Sequence, residues 1–210
     1  MKKLLFIMFS FVSILHSQFA IDYGIKIGGT VSNQNWNYTP ISPVQNFDPD
    51  NKFGFNGGIF VELPAFPFFT VVTELNYVQK GVQKEVEQSS TEYPDGTGEM
   101  VTWKLGINYL NFSLLGKAGI NLGVVKPYLL VGPRLDYELN KSVDYDNASF
   151  YDEFKKSRLG LKLGLGSEFN LINLRFLAEV IYDLDLSELY KNENVEVTSG
   201  SFDFRVGIFL

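Results

Sequence analysis

Apolar and polar residues alternate along most of the chain after residue 20, with a period of two. Between Arg158 and Leu171, the residues Leu159, Leu161, Leu163, Leu165, Phe169 and Leu171 share one face, interrupted only by Ser167. Arg158, Gly160, Lys162, Gly164, Gly166, Glu168 and Asn170 share the other. Phe202, Phe204, Val206, Ile208 and Leu210 alternate with Ser201, Asp203, Arg205 and Gly207, and only Phe209 breaks the polar side. Leu174, Phe176, Ala178, Val180, Tyr182 and Leu184 oppose a face carrying Arg175, Glu179 and Asp183. Successive side chains of a strand point to opposite sides of a sheet, so each stretch predicts a strand with one apolar and one polar face.

Four further segments divide the same way. Tyr23, Ile25 and Ile27 oppose Asp22, Gly24, Lys26 and Gly28; Phe53, Phe55, Ile59 and Val61 oppose Gly54, Asn56, Gly58 and Glu62. Phe69, Val71, Leu75 and Tyr77 oppose Thr70, Glu74, Asn76 and Lys80; Leu129, Val131, Leu135 and Tyr137 oppose Gly132, Arg134, Asp136 and Glu138. The remaining segment changes phase, from Trp103, Leu105, Ile107 and Tyr109 to Leu110, Phe112 and Leu114. A one-residue slip carries every side chain across the sheet, so a β-bulge is expected near Tyr109–Leu110.

Eight strands result. Their connections alternate between short (64–67, 119–125 and 170–173) and long (33–51, 81–100, 140–156 and 185–200). That regularity predicts an all-β fold: an eight-stranded antiparallel up-and-down barrel with turns at one end and loops at the other.

Alternation alone leaves open which face points inward. The polar faces carry both signs of charge and many glycines: Lys26, Glu62, Glu74, Arg134, Asp136, Lys162, Glu168, Arg175, Glu179, Asp203 and Arg205 can form a charge network filling a narrow lumen. Aromatic residues stand near strand ends on the apolar side, at Tyr23, Phe53, Phe69, Tyr77, Tyr137, Phe169, Tyr182 and Phe202. They suit two girdles at the interfaces of a membrane. The last strand also runs to the chain terminus. Together these favour a transmembrane barrel over a soluble lipocalin-like barrel with an apolar interior. Unpaired strand edges are costly in hydrocarbon, so the first and last strands are expected to pair. The short turns are assigned to the periplasm and the long loops to the exterior.

Residues 1–20 read differently. Lys2 and Lys3 precede an apolar stretch from Leu4 to Leu15, and small or polar residues follow at Ser17, Gln18 and Ala20. This predicts a secretory signal peptide over 1–17, with Ala20 a second candidate for the cleavage site, and a barrel domain over 18–210. Cleavage removes His16, the single histidine, from a chain without cysteine. The mature chain then lacks the groups for Ser–His or Cys–His catalysis and for the usual catalytic zinc site. No enzymatic activity, cofactor or metal is expected. The net charge of −6 becomes −8 once Lys2 and Lys3 are lost, which gives no basic footprint for nucleic acid. A mean hydropathy of +0.01 then reads as the average of an apolar belt and a charged lumen.

The order Tyr23-Gly24-Ile25-Lys26-Ile27-Gly28-Gly29, Glu74-Leu75-Asn76-Tyr77-Val78-Gln79-Lys80-Gly81, Lys126-Pro127-Tyr128 with Gly132-Pro133, and Gly164-Leu165-Gly166-Ser167-Glu168 resembles the PorT-like outer-membrane β-barrel family. The resemblance covers nearly all of Ile21–Leu210. It implies an eight-stranded barrel of the OmpA/OmpX type in a Gram-negative outer membrane, and named members take part in protein secretion or gliding. Such barrels usually end in an aromatic residue read by the assembly machinery; here Phe209 and Leu210 stand in that place.

The four long connections carry net charges of −2, −4, −1 and −3. A solvated, mutually repelling loop set explains them more simply than cation binding. Asp144-Tyr145-Asp146-Asn147 begins like a calcium loop, but Ala148, Ser149 and Lys155 replace later essential positions. Trp36, Tyr38, Phe47, Phe150, Tyr151 and Phe154 either pack the loops or form a recognition surface. Expected partners are outer-membrane lipid and lipopolysaccharide, the barrel-assembly machinery and an envelope protein, with the barrel itself a monomer. A narrow channel or small-molecule transporter is the alternative role.

Overall fold

The period-two segments form strands whose backbone groups pair with neighbouring strands on both sides, the arrangement a low-dielectric surround requires. The computed structural model describes residues 21–38, 48–88, 97–144 and 153–210. The proposed signal peptide lies outside them. The strands are β1 (Asp22–Tyr38), β2 (Asp50–Phe66), β3 (Phe69–Glu87), β4 (Met100–Gly119), β5 (Val125–Val143), β6 (Ser157–Leu171), β7 (Leu174–Asp185), β8 (Tyr190–Lys191) and β9 (Val195–Phe209). Each long strand pairs antiparallel with the next, β7 pairs with β9, and β9 returns to β1 from Gly24↔Phe209 to Tyr38↔Val195. Eight long strands therefore close into a ring, and β8 is a short addition to β9.

Even-numbered side chains of β1, β2, β3, β5 and β6, and odd-numbered ones of β4, β7 and β9, point inward through the barrel. Outward positions form a belt of exposed Ile, Leu, Val and aromatic side chains. This polar-in, apolar-out division is the reverse of a soluble ligand-binding barrel. No helix among the described residues is long and apolar enough to cross a membrane.

Two sequence expectations need correction. The bulge lies in the β4–β5 ladder, where Asn108↔Asn140 is followed by Tyr109↔Glu138, so the extra residue is Leu139 of β5. Strand β4 keeps one parity from Leu105 to Lys117. Its apolar residues change sides because Leu105, Ile107 and Tyr109 face an apolar upper lumen, whereas Leu110, Phe112 and Leu114 face outward. Second, the long connections are partly strand: β1, β3, β4, β5 and β9 all continue into them. In these extensions Trp36, Val82, Val143 and Val197 pack inward, whereas Val86, Met100 and Val101 are exposed, so the alternation that marks the belt is lost. Phe209, the one apolar residue on the polar side of the last strand, turns into the lumen against Phe60, while Leu210 is exposed.

Candidate functional site: a filled lumen and a capped rim

The interior is built in tiers. At the short-turn end, Lys117 Nζ stands 2.6 Å from both Glu62 and Glu168. Lys126 reaches Glu168 at 3.3 Å, and Arg175 reaches Asp22 at 2.7 Å and Glu168 at 3.3 Å. Aromatic rings share this tier. Phe60 and Phe209 meet edge to face with centroids 5.0 Å apart, and the Arg175 guanidinium lies 3.6 Å from the Phe209 centroid. Lys117 lies 4.3 Å from the centre of the Tyr128 ring.

The middle tier is a four-charge knot. Lys26 bridges Glu74 at 2.7 Å and Glu179 at 2.9 Å, and Arg205 bridges the same two carboxylates at 2.9 and 2.7 Å. Lys162 approaches Glu74 at 3.5 Å, and the Tyr128 hydroxyl donates to Glu179 at 2.8 Å. Two glycines make room for large neighbours. A Cβ at Gly166 would fall 2.5 Å from the Tyr128 ring, and one at Gly160 would fall 2.7 Å from the Arg134 guanidinium. Apolar side chains of Phe60, Val72, Leu115, Leu130, Leu177 and Ile181 pack around this tier.

In the upper tier, Lys80 pairs with Asp183 at 2.8 Å and Asp136 at 3.6 Å. Arg134 donates to Asp136 and Asp185, and Arg158 donates to Asp185. Asp203 accepts from Thr30 at 2.7 Å and from the Asn56 amide at 2.8 Å. The Arg158 guanidinium stacks 4.6 Å from the centre of the Tyr109 ring.

The charges balance within each region. Lys26, Lys80, Arg134, Arg158, Lys162 and Arg205 face Glu74, Asp136, Glu179, Asp183, Asp185 and Asp203 in the upper and middle tiers. Lys117, Lys126 and Arg175 face Asp22, Glu62 and Glu168 below. Buried charges persist only when compensated in this way. Among the described residues, no group of three or more His, Cys, Asp or Glu side chains is disposed to hold a metal ion.

Above the charges the strand extensions form two fingers, β3–β4–β5 and β8–β9–β1. Val82, Leu105, Ile107 and Tyr109 of the first meet Tyr190 and Val197 of the second, joined by Phe154 and Leu189, with Trp36 and Trp103 at the margin. The Phe154 ring lies 6.3 Å from Trp36 and 6.1 Å from Tyr190. Outside this apolar cap, the Glu188 backbone N–H and the Lys155 ammonium, 3.1 Å away, hold the Glu188 carboxyl below the usual carboxylate range.

All eleven residues read from the polar faces lie in these tiers, Arg175 least buried. The sequence-derived network lacked Asp22, Lys80, Lys117, Lys126, Arg158, Asp183 and Asp185. Asp22, Lys80, Arg158 and Asp183 were visible as polar-face residues; Lys117, Lys126 and Asp185 lay beyond the alternating segments. The eight aromatic girdle positions all sit on outward strand positions, and Tyr182 packs on Phe202 with centroids 4.8 Å apart. Trp36 and Phe154 belong to the cap, whereas Phe47, Phe150, Tyr151 and most of the calcium-like segment lie outside the described residues.

A search of curated proteins gave no match. Among solved structures, the outer membrane protein OprG from Pseudomonas aeruginosa is similar with a TM-score of 0.53 at 12% identity, covering 91% of this chain and 97% of that one. Outer Membrane Protein W of E. coli gives a TM-score of 0.43 at 12% identity, with 92% and 100% covered. Ail of Yersinia pestis gives 0.41 at 17% identity, with 90% and 99% covered. The family described as outer membrane protein beta-barrel domain matches residues 16–191. The inward charges, the apolar outer belt and this match agree: the chain belongs to that family, and it resides in the bacterial outer membrane.

Proposed function

We propose that this protein is a sealed, non-catalytic barrel that acts through its surfaces, in a structural or interaction role at the long-loop rim. The observation that carries the reading is the filled interior. Compensated charge tiers occupy the lumen under an apolar cap. An eight-stranded barrel has an interior that side chains fill, leaving no water column for a solute. Among the described residues, the lumenal carboxylates are committed to buried cations rather than held free as acid–base pairs.

The short turns face the periplasm and the acidic loops face outward. The outward aromatics act as girdles, with Tyr23, Phe69 and Phe169 in the lower ring and Phe53, Tyr77, Tyr137, Tyr182 and Phe202 in the upper. Residues 1–17 serve as the export signal. The PorT-like resemblance supports an envelope protein as partner, in a secretion-related process. Planar-bilayer recordings of purified protein test the sealed lumen: the expected result is no steady conductance. Stable single-channel currents would establish the transporter reading instead. Pull-down from intact envelopes, comparing wild type with a variant lacking the rim extensions, tests the interaction role; identical captured proteins would overturn it.

A further inference from the structure

The short-turn end is unusually apolar. Its three turns project Phe66 and Phe68, then Ile120, Leu122 and Val124, and finally Ile172, all exposed. Ile172 is fully exposed and holds a left-handed backbone, φ 51°, a conformation that a β-branched residue rarely adopts. The neighbouring Asn173 is a residue type that accepts that conformation readily. An exposed isoleucine is thus kept at a tip where backbone geometry opposes it.

These turns lie beyond the lower aromatic ring. Phe69 and Tyr77 of β3, and Leu129 and Tyr137 of β5, mark the outward face at intervals of eight residues. Eight residues span about 26 Å along a strand, and only about 20 Å along the membrane normal at a tilt of roughly 40°. That falls short of the apolar band of about 25 Å typical of such barrels. The apolar turns supply the missing height.

Their backbones also suit a dry setting. The Gly119 N–H donates to Phe68 O at 3.0 Å, Ile120 N–H to Pro127 O at 3.1 Å, and Asn170 N–H to Val124 O at 2.8 Å. The turns thus tie their polar groups to one another, as hydrocarbon demands. Between them, on the outer wall of β4, β5 and β6, runs an open groove of about 660 Å³ lined by Phe68, Ala118, Ile120, Pro127, Leu129 and Leu165. The groove is continuous with the lipid-facing belt.

We propose that the three short turns are immersed in the phospholipid leaflet on their side of the membrane, and that the groove holds one glycerophospholipid acyl chain. The leaflet assignment rests on the periplasmic placement of the short turns. Continuity with the belt selects lipid over a protein partner: the same hydrocarbon that covers Leu129 and Leu165 reaches Phe68 and Ile120 without a polar break.

The chain has no cysteine, so single-cysteine variants can be labelled cleanly. Ile172→Cys and Leu122→Cys, carrying bimane in full-length protein refolded into phosphatidylethanolamine–phosphatidylglycerol vesicles, should be quenched by doxyl-labelled lipid and protected from iodide. Lys191→Cys at the rim should behave oppositely. Iodide quenching of position 172 without doxyl quenching would overturn the immersion. So would protection that appears only in intact envelopes, which would identify a protein cover. Native mass spectrometry from nanodiscs should show one retained phospholipid in wild type and its loss in Ala118→Trp, with heat-modifiable mobility confirming a folded barrel. No retained lipid, or equal retention in both proteins, would overturn the groove site. Labelling of Lys104→Cys on intact cells by an impermeant maleimide tests the orientation separately.

Discussion

Glu74 shows how little freedom a lumenal charge has. It meets Lys26 at 2.7 Å, Arg205 at 2.9 Å and Lys162 at 3.5 Å, with no exposed side-chain surface. Neutralising it leaves Lys26 and Arg205 sharing Glu179 and takes from Lys162 its carboxylate at 3.5 Å. Glu74→Gln is expected to destabilise the barrel by about 3–5 kcal/mol, the usual cost of removing one member of a buried pair. Urea unfolding in detergent micelles measures this as a lower midpoint, and a midpoint equal to wild type would refute the interlocked network. The pairing of Glu74 with these cations was not legible in the sequence, because alternation assigns a face but not a level. Phe60, Leu177 and Ile181 were passed over for a related reason: they interrupt the polar faces with apolar side chains that pack between charges.

At the scale of elements, the strand extensions were the least legible part. Above the belt the outer face meets water, so the apolar-out signal ends while the strand continues. Leu105, Ile107 and Tyr109 then look like a slipped register, although their own strand is regular. The separate bulge at Leu139 restores pairing between β4 and β5 and turns Val143 into the cap. The short turns, by contrast, were read near their true places because the apolar alternation resumes immediately after each. The cap should behave as a local cooperative unit. Leu189→Ala removes a fully buried side chain from its centre, at a cost of about 2–5 kcal/mol to that unit. Limited proteolysis should cut the variant faster near residues 186–194, while the barrel keeps its folded gel mobility. Loss of that mobility would show that cap and barrel fold as one.

For the whole molecule, the polar-in, apolar-out division was legible from charged glycine-rich faces and aromatics at strand ends, and the up-and-down order from alternating connection lengths. Closure followed from the cost of a free edge in hydrocarbon. An unboiled sample should therefore migrate differently from a boiled one on a denaturing gel, and the difference should survive mild detergent. Identical mobilities would contradict a closed barrel. The seam carries a consequence for timing. Gly24 pairs with Phe209 and Tyr38 with Val195, so the first strand waits for residues from the far end of the chain before one of its edges is covered. Contacts so distant in sequence are slow to form. Hairpins such as β3–β4 can zip from their own turns, but the seam can only be the final stitch. A nascent chain stalled before Val195 would hold two open edges, making it a substrate for quality-control proteases rather than a partly working barrel.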